Sequence, residues 1–200
     1  MIKLFNNEAL IQMDIFIKEG LLFDAIIIDP PYGTTQNKWD SIIPLDKMWK
    51  RINKLIKPNG AVIVFSDGMF TSELKLSNKI NWRYDLIWDK TISSGFLNAN
   101  RMPLRIHETI SVFYKNPPIY NPQKTIGKLN HRNSKTMVKH NCNYGNFNHV
   151  DNSEKLGNMK FPTSIIRIPK VHSSKTIHAT QKPVEIMEYL IKTFLNFYNF

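Results

Sequence analysis

The sequence predicts an α/β layered fold, and three observations carry that prediction. Short runs rich in β-branched residues alternate with segments of helical period along the chain. The runs "AIII" and "AVIVF" are apolar at every position rather than at alternate ones, as in strands covered on both faces. A hydrophobic content of 42% lets 200 residues bury a real core in one domain with an insertion.

Residues 7–19, "NEALIQMDIFIKE", read as a helix, with Leu10, Met13 and Ile17 on one face and Gly20 as its stop. "DAIIID" is the first strand. Residues 44–57 form the strongest helix: Pro44 suits its first turn, and Leu45, Met48, Trp49, Ile52, Leu55 and Ile56 make one apolar stripe. "PNG" at 58–60 ends it, and "AVIVFS", 61–66, is the second buried strand. A weaker helix covers 69–78. "RYDLIWDK", 83–90, and "ETISVFYK", 108–115, are two further strands, and "TSIIRIP", 163–169, is another. "KPVEIMEYLIKTFLNF" closes the chain as a helix, with Ile186, Leu190, Ile191 and Phe194 on one side. Trp49, Trp82 and Trp88 read as core by periodicity, and Trp39 as core or as a wall of a site nearby.

Between 116 and 163 the periodicity fades, and Asn, Lys, His and Gly dominate. The predicted organisation is an α/β core over 1–115, an insertion over 116–163, and a strand and helix over 164–200 that return to the core. The charge is uneven in the same way. Residues 115–182 hold twelve Lys and Arg against two Asp and Glu; the rest holds fifteen against fourteen, within a net charge of +11 and a pI near 9.7. Basic charge concentrated in an aperiodic segment points to an anionic partner, nucleic acid first. One cysteine, Cys142, excludes an internal disulfide. With no secretory leader and no apolar run of 18 residues, the expectation is a cytoplasmic chain without a membrane span. His140, Cys142 and His149 lack paired ligand spacing, so no metal site is expected.

The first strand runs into "DPPYGTT", 29–35. Ligands of open α/β sheets collect at the carboxyl ends of strands, where Asp29 falls. Pro30 restricts Asp29 and Pro31 restricts Pro30, so the turn is stiff. Neither proline has an N–H, which leaves the Asp29 carboxylate and the Pro30 carbonyl without a local donor. Tyr32 adds a flat π-face. Two fixed acceptors beside a ring suit a planar group carrying an –NH₂, such as a nucleobase with an exocyclic amine.

"DPPY" at 29–32 resembles the amine-binding motif of the DNA amino-methyltransferases. "GTTQNKWD" after it, "PNGAVIVF" at 58–65, "YDLIWDK" at 84–90, "RMPLRIHETISVFYK" at 101–115 and "HATQKPVEIMEYLI" at 178–191 resemble the β-type order of that family, in which the amine motif precedes the cofactor motif. The resemblance covers nearly the whole chain. It implies a partial Rossmann-like methyltransferase sheet with a basic, loop-rich insertion. It also implies methyl transfer from S-adenosylmethionine to the exocyclic amine of a base flipped from double-stranded DNA, with Asp in the first motif position leaning toward adenine N6 over cytosine N4. In that reading Asp29, Pro30, Pro31 and Tyr32 are the catalytic turn. Thr180, Gln181, Lys182 and Pro183 line the cofactor pocket, with Thr180 as helix cap, Lys182 and the helix start facing the methionine carboxylate, and Asp67 bordering them. Lys124, Lys128, Arg132, Lys135 and Lys139 in the insertion become phosphate contacts, with Tyr144, Phe147 and His149 beside them. Glu108 reads as structural or charge-pairing.

The resemblance stops at the end of the chain. No glycine follows Gly157, so the Gly-rich cofactor turn of the β-type order, with about three of the seven strands expected of such a sheet, is absent. The expectation is weak cofactor affinity unless a second chain supplies that turn, and an unpaired edge on strand 25–29. A truncated or split enzyme and a catalytically inactive DNA-binding remnant both follow from this pattern.

Overall fold

The computed structural model describes residues 2–35, 37–38, 40–129, 157–172, 174, 176–178 and 180–195. It has two units, Met1–Asn121 with Thr163–Phe200, and Pro122–Pro162. In the first unit β1 (Phe23–Ile28), β2 (Ile56–Ser66), β3 (Trp82–Ser94), β4 (Arg105–Phe113) and β7 (Ile165–Arg167) form one sheet, ordered β1-β2-β4-β3-β7. β1 and β2 are parallel, β4 runs against both β2 and β3, and β7 is parallel to β3. Four strands therefore share one direction, and only β4 opposes them. In the second unit β5 (Thr125–Ile126) and β6 (Met159–Lys160) pair antiparallel.

The helices are α1 (Ala9–Lys18), α2 (Leu45–Leu55), α3 (Gly68–Ser77) and α4 (Val184–Phe194). The uninterrupted apolar run of β2 is explained by its neighbours. Ala61, Ile63 and Phe65 face one core, with Trp88, Ile110, Val112 and the α4 residues Ile186, Leu190 and Phe194. Val62 and Val64 face the other, with Met48, Trp49 and Ile52 of α2 and Phe70 and Leu74 of α3. The period of two in the strand thus serves two helical layers. α1 buries no residue completely. Leu10 and Met13 pack against the second core, and Asp14 pairs with Arg51 of α2 at 2.6 Å.

Three expectations need correction. "PNG" does not end α2; the helix stops at Leu55, and Ile56 is already extended. β1 then advances two residues, Phe23 to Ala25, while β2 advances five, Ile56 to Ala61, so Pro58–Gly60 sit in an irregular stretch of β2 where a proline is tolerated. A Cβ on Gly60 would lie 2.9 Å from the Asp24 carbonyl oxygen, which is why glycine is there. Trp82 is not core: it is 37% exposed at the start of β3, with its indole N–H on Asp85. β1 is only half-buried, because among the described residues it pairs with β2 alone and forms one edge of the sheet. No described helix is long and apolar enough to cross a membrane.

Candidate active site

β1 ends at Ile28, paired with Val64 of β2, so Asp29 is the first residue beyond the ladder. Pro30 is buried; among the described residues no hydrogen bond ends on its carbonyl oxygen. The Asp29 side chain remains 29% exposed and is reachable from solvent. Its Oδ1 accepts the Tyr32 hydroxyl at 2.9 Å and pairs with the Lys182 ammonium at 2.9 Å. Burial first, and then the negative charge of Asp29, push the Tyr32 hydroxyl far above the ordinary phenol range. Tyr32 therefore stays protonated and acts as a donor. Its ring stacks on Phe70 of α3, with centroids 5.6 Å apart and planes 22° apart.

Lys182 is the unexpected centre of the site. Its side chain is only 9% exposed, so its charge must be matched. Asp29 supplies one counter-charge and Glu108 Oε2, at 3.2 Å, the other. The rings of Phe65, Tyr32 and Trp88 surround the ammonium at 5.2, 5.6 and 6.0 Å, an arrangement favourable to a desolvated cation. Glu108 Oε1 pairs with Lys90 of β3 at 3.2 Å. The Glu108–Lys182 contact is a charge pair rather than an aligned hydrogen bond, since the buried Oε2 accepts none. Two carboxylates and two ammonium groups thus alternate in the order Asp29, Lys182, Glu108, Lys90.

The turn after Tyr32 has its own anchor. Asp40 receives the backbone N–H groups of Gly33 and Thr34 at 2.9 Å each and of Thr35 at 2.6 Å. The side chain of Thr35 and these N–H groups hold the Asp40 carboxyl below the usual carboxylate range, against the effect of burial. Gly33 has φ +67°, the left-handed region open to glycine, and a Cβ there would meet Ile42 at 2.9 Å. Asp40 was not among the predicted site residues. A short acid following "GTT" was the available signal.

The other predicted residues separate into groups. Asp67, beyond the end of β2, caps α3 through Gly68 N–H and pairs with Arg105, the first residue of β4. Thr180 is not the helix cap: α4 begins at Val184, Pro183 holds the cap position without a side-chain bond, and the Thr180 hydroxyl lies 3.1 Å from His178 Nδ1. Pro183 has an extended ψ of 145°, so the helix begins after it. Gln181 Oε1 accepts the Ile177 N–H at 2.9 Å and closes the same local turn. In the second unit the Lys124 ammonium lies 4.6 Å from the Phe161 ring centroid, and Lys128 is exposed. Arg132, Lys135, Lys139, His140, Cys142, Tyr144, Phe147 and His149 lie outside the described residues, as does Trp39.

No curated protein matches the sequence. Among solved structures, the crystal structure of an M1.HpyAVI–SAM complex is similar over 98% of this chain and 78% of that one, with 22% identity and a TM-score of 0.60. A second crystal structure of M1.HpyAVI covers 98% and 77%, with 19% identity and a TM-score of 0.57. The PvuII DNA methyltransferase, cytosine-N4-specific, covers 89% of this chain and 66% of its own, with 13% identity and a TM-score of 0.53. At these identities the likeness is one of fold. The family model described as DNA methylase matches residues 23–197, which takes in the Asp29 turn, the Glu108 strand and the Lys182 segment. The chain belongs to the DNA methylase family of N6 and N4 methyltransferases.

Proposed function

We propose that this chain methylates the exocyclic amine of a base flipped out of double-stranded DNA, adenine N6 in preference to cytosine N4, with S-adenosylmethionine as methyl donor. The observation that carries the reading is the Asp29 carboxylate: partly exposed at the end of β1, held by Tyr32 and Lys182, beside a Pro30 carbonyl that no described hydrogen bond uses. The second strand of support is the placement of Asp29 and Asp67 just beyond the ends of the neighbouring strands β1 and β2.

The residues present fit the cofactor. A sulfonium cation suits an edge that carries two carboxylates and already surrounds one cation with aromatic rings. A carboxylate suits the start of α4, whose first-turn N–H groups receive no side-chain cap. We assign the cofactor to Asp67, Thr180, Gln181 and Pro183, with Lys182 at the border between that pocket and Asp29. When bound, the cofactor supplies an electrophilic methyl carbon.

The protein's task is then to present a poor nucleophile. The lone pair of an aromatic amine is delocalised into its ring. Hydrogen bonds from the two amine protons to Asp29 and to the Pro30 carbonyl hold the nitrogen and favour a tetrahedral geometry with its lone pair free. The cofactor would supply the methyl group and keep the electron pair of its carbon–sulfur bond, while Asp29 and Pro30 hold the amine that receives the methyl. The nitrogen becomes cationic, and Asp29 stabilises it and helps its extra proton depart. Pro31 keeps the turn stiff, and the Tyr32 ring, backed by Phe70, offers the base a stacking surface. Lys124, Lys128, Arg132, Lys135 and Lys139 are assigned to the phosphates. The recognition role falls to 116–163.

The test is transfer of labelled methyl from S-adenosylmethionine to unmethylated DNA, followed by hydrolysis and identification of the labelled nucleoside. N6-methyladenine is expected, and N4-methylcytosine would reverse the base preference. Activity that appears only with a second polypeptide supports a split enzyme. No transfer under either condition, with salt-sensitive DNA binding retained, defeats the enzyme reading in favour of a binding protein.

A further inference from the structure

We propose that Lys182 and Glu108 are a positioning pair: they clamp one oxygen of the Asp29 carboxylate and leave the other to the target amine. This rests on the reading of Asp29 as amine acceptor.

The two oxygens of Asp29 are not equivalent. Oδ1 is engaged by the Lys182 ammonium and the Tyr32 hydroxyl, each at 2.9 Å. Among the described residues no hydrogen bond ends on Oδ2. A carboxylate is planar, so a hydrogen bond from Tyr32 and the charge of Lys182 on one oxygen limit rotation of the group and favour one direction for the other. The amine site then presents an acceptor whose orientation is set before the base arrives.

A lysine alone is a poor clamp, because its four-carbon stem is flexible. Three features remove that freedom here. The Glu108 carboxylate holds the ammonium from a second direction, at 3.2 Å. Three aromatic rings enclose it. Lys90 occupies the other oxygen of Glu108 and stops that carboxylate from turning away. Glu108 itself is placed by sheet register, directly opposite Trp88 on the neighbouring strand, so this half of the clamp is built on a strand.

This assigns Lys182 a different main task from gripping a cofactor carboxylate. To reach a third anion it would have to leave two protein carboxylates in a site that is nine-tenths closed to solvent. The two tasks separate kinetically. A clamp acts on the chemical step, so its loss lowers kcat. A cofactor grip acts on binding, so its loss raises KM for S-adenosylmethionine.

The experiment is steady-state methyl transfer to unmethylated DNA by the wild-type chain, with its second polypeptide if transfer requires one, and by Glu108→Gln, Lys182→Met, the double variant and Glu108→Asp. Glu108→Gln is expected to lower kcat by up to about 10²-fold, the scale of a misplaced reacting group, with KM for S-adenosylmethionine unchanged. In the Lys182→Met background the same change adds little, because both residues act through one contact. Glu108→Asp keeps the charge and recovers part of kcat, which also covers the case in which Glu108→Gln fails to fold in a parallel thermal melt. Additive losses, or a rise in KM with kcat intact, overturn the proposal alone. A wild-type sample without transfer, or transfer indifferent to Asp29→Ala, overturns the reading beneath it and the proposal with it.

Discussion

Glu108 on β4 sits directly across the sheet from Trp88 on β3, and that pairing brings a carboxylate and an aromatic ring against the same ammonium group, Lys182. Both partners come from strands that pack into the same core as α4. The chemistry proposed for Asp29 therefore depends on how well α4 docks.

Core truncations on the two faces of the sheet should differ for that reason. Leu190→Ala in α4 and Ile52→Ala in α2 each remove a side chain with no exposed surface, and each should destabilise by about 2–5 kcal/mol. Denaturant titration measures both losses. At a temperature where both variants remain folded, Leu190→Ala should lose more methyl transfer, because α4 carries the Lys182 segment. Equal transfer in the two variants would separate α4 docking from the site.

Lys90 lies further from Asp29 but closes the charge chain. Lys90→Met leaves the buried Glu108 with one partner, and should destabilise by about 1–3 kcal/mol. A melting temperature equal to the wild type would show that Glu108 needs no second cation.

The pH dependence of stability should carry a signature of Asp85. Burial pushes its carboxyl up, but hydrogen bonds from Lys75 at 2.9 Å, Ser111 at 2.7 Å and Trp82 at 3.1 Å more than offset this and leave it below the usual range. A group whose folded pKa is depressed contributes stability above its unfolded pKa of about 3.9, and loses it as pH falls through the folded value. Asp85→Asn should therefore be less stable than wild type at neutral pH, with the gap closing in acid below about pH 3.9. A gap that is constant with pH would assign the effect to packing.

For the insertion, Lys128→Ala with Arg132→Ala should weaken DNA binding and flatten its salt dependence. Two lost phosphate contacts reduce the slope of log K against log salt by about 1.8. Fluorescence anisotropy across a salt series measures this, and an unchanged slope removes both residues from the interface.

The fold was legible where pattern and packing agree. β2 reads as buried on both faces because helical layers cover both, and the stripe on α2 faces a core. Trp82 misled because hydrophobicity alone does not report which end of a strand leaves the sheet. "PNG" misled because its glycine answers to the Asp24 carbonyl on β1, a contact distant in sequence. In the site, Asp29, Pro30 and Tyr32 were visible because they are contiguous. Glu108 read as structural or charge-pairing, but its partners Lys90 and Lys182 were not visible, since those pairings exist only through strand register and the return of the Lys182 segment to the sheet. A glutamate opening "ETISVF" was a hint, because an acid on a burying strand needs a partner.

Asp29 is assigned to the amine and not to the duplex. The most direct measurement compares Asp29→Ala with wild type in two assays on the same DNA, methyl transfer and equilibrium binding. Transfer should be abolished while duplex affinity stays nearly unchanged. Equal loss in both assays, or transfer that survives the substitution, would contradict the role assigned to Asp29.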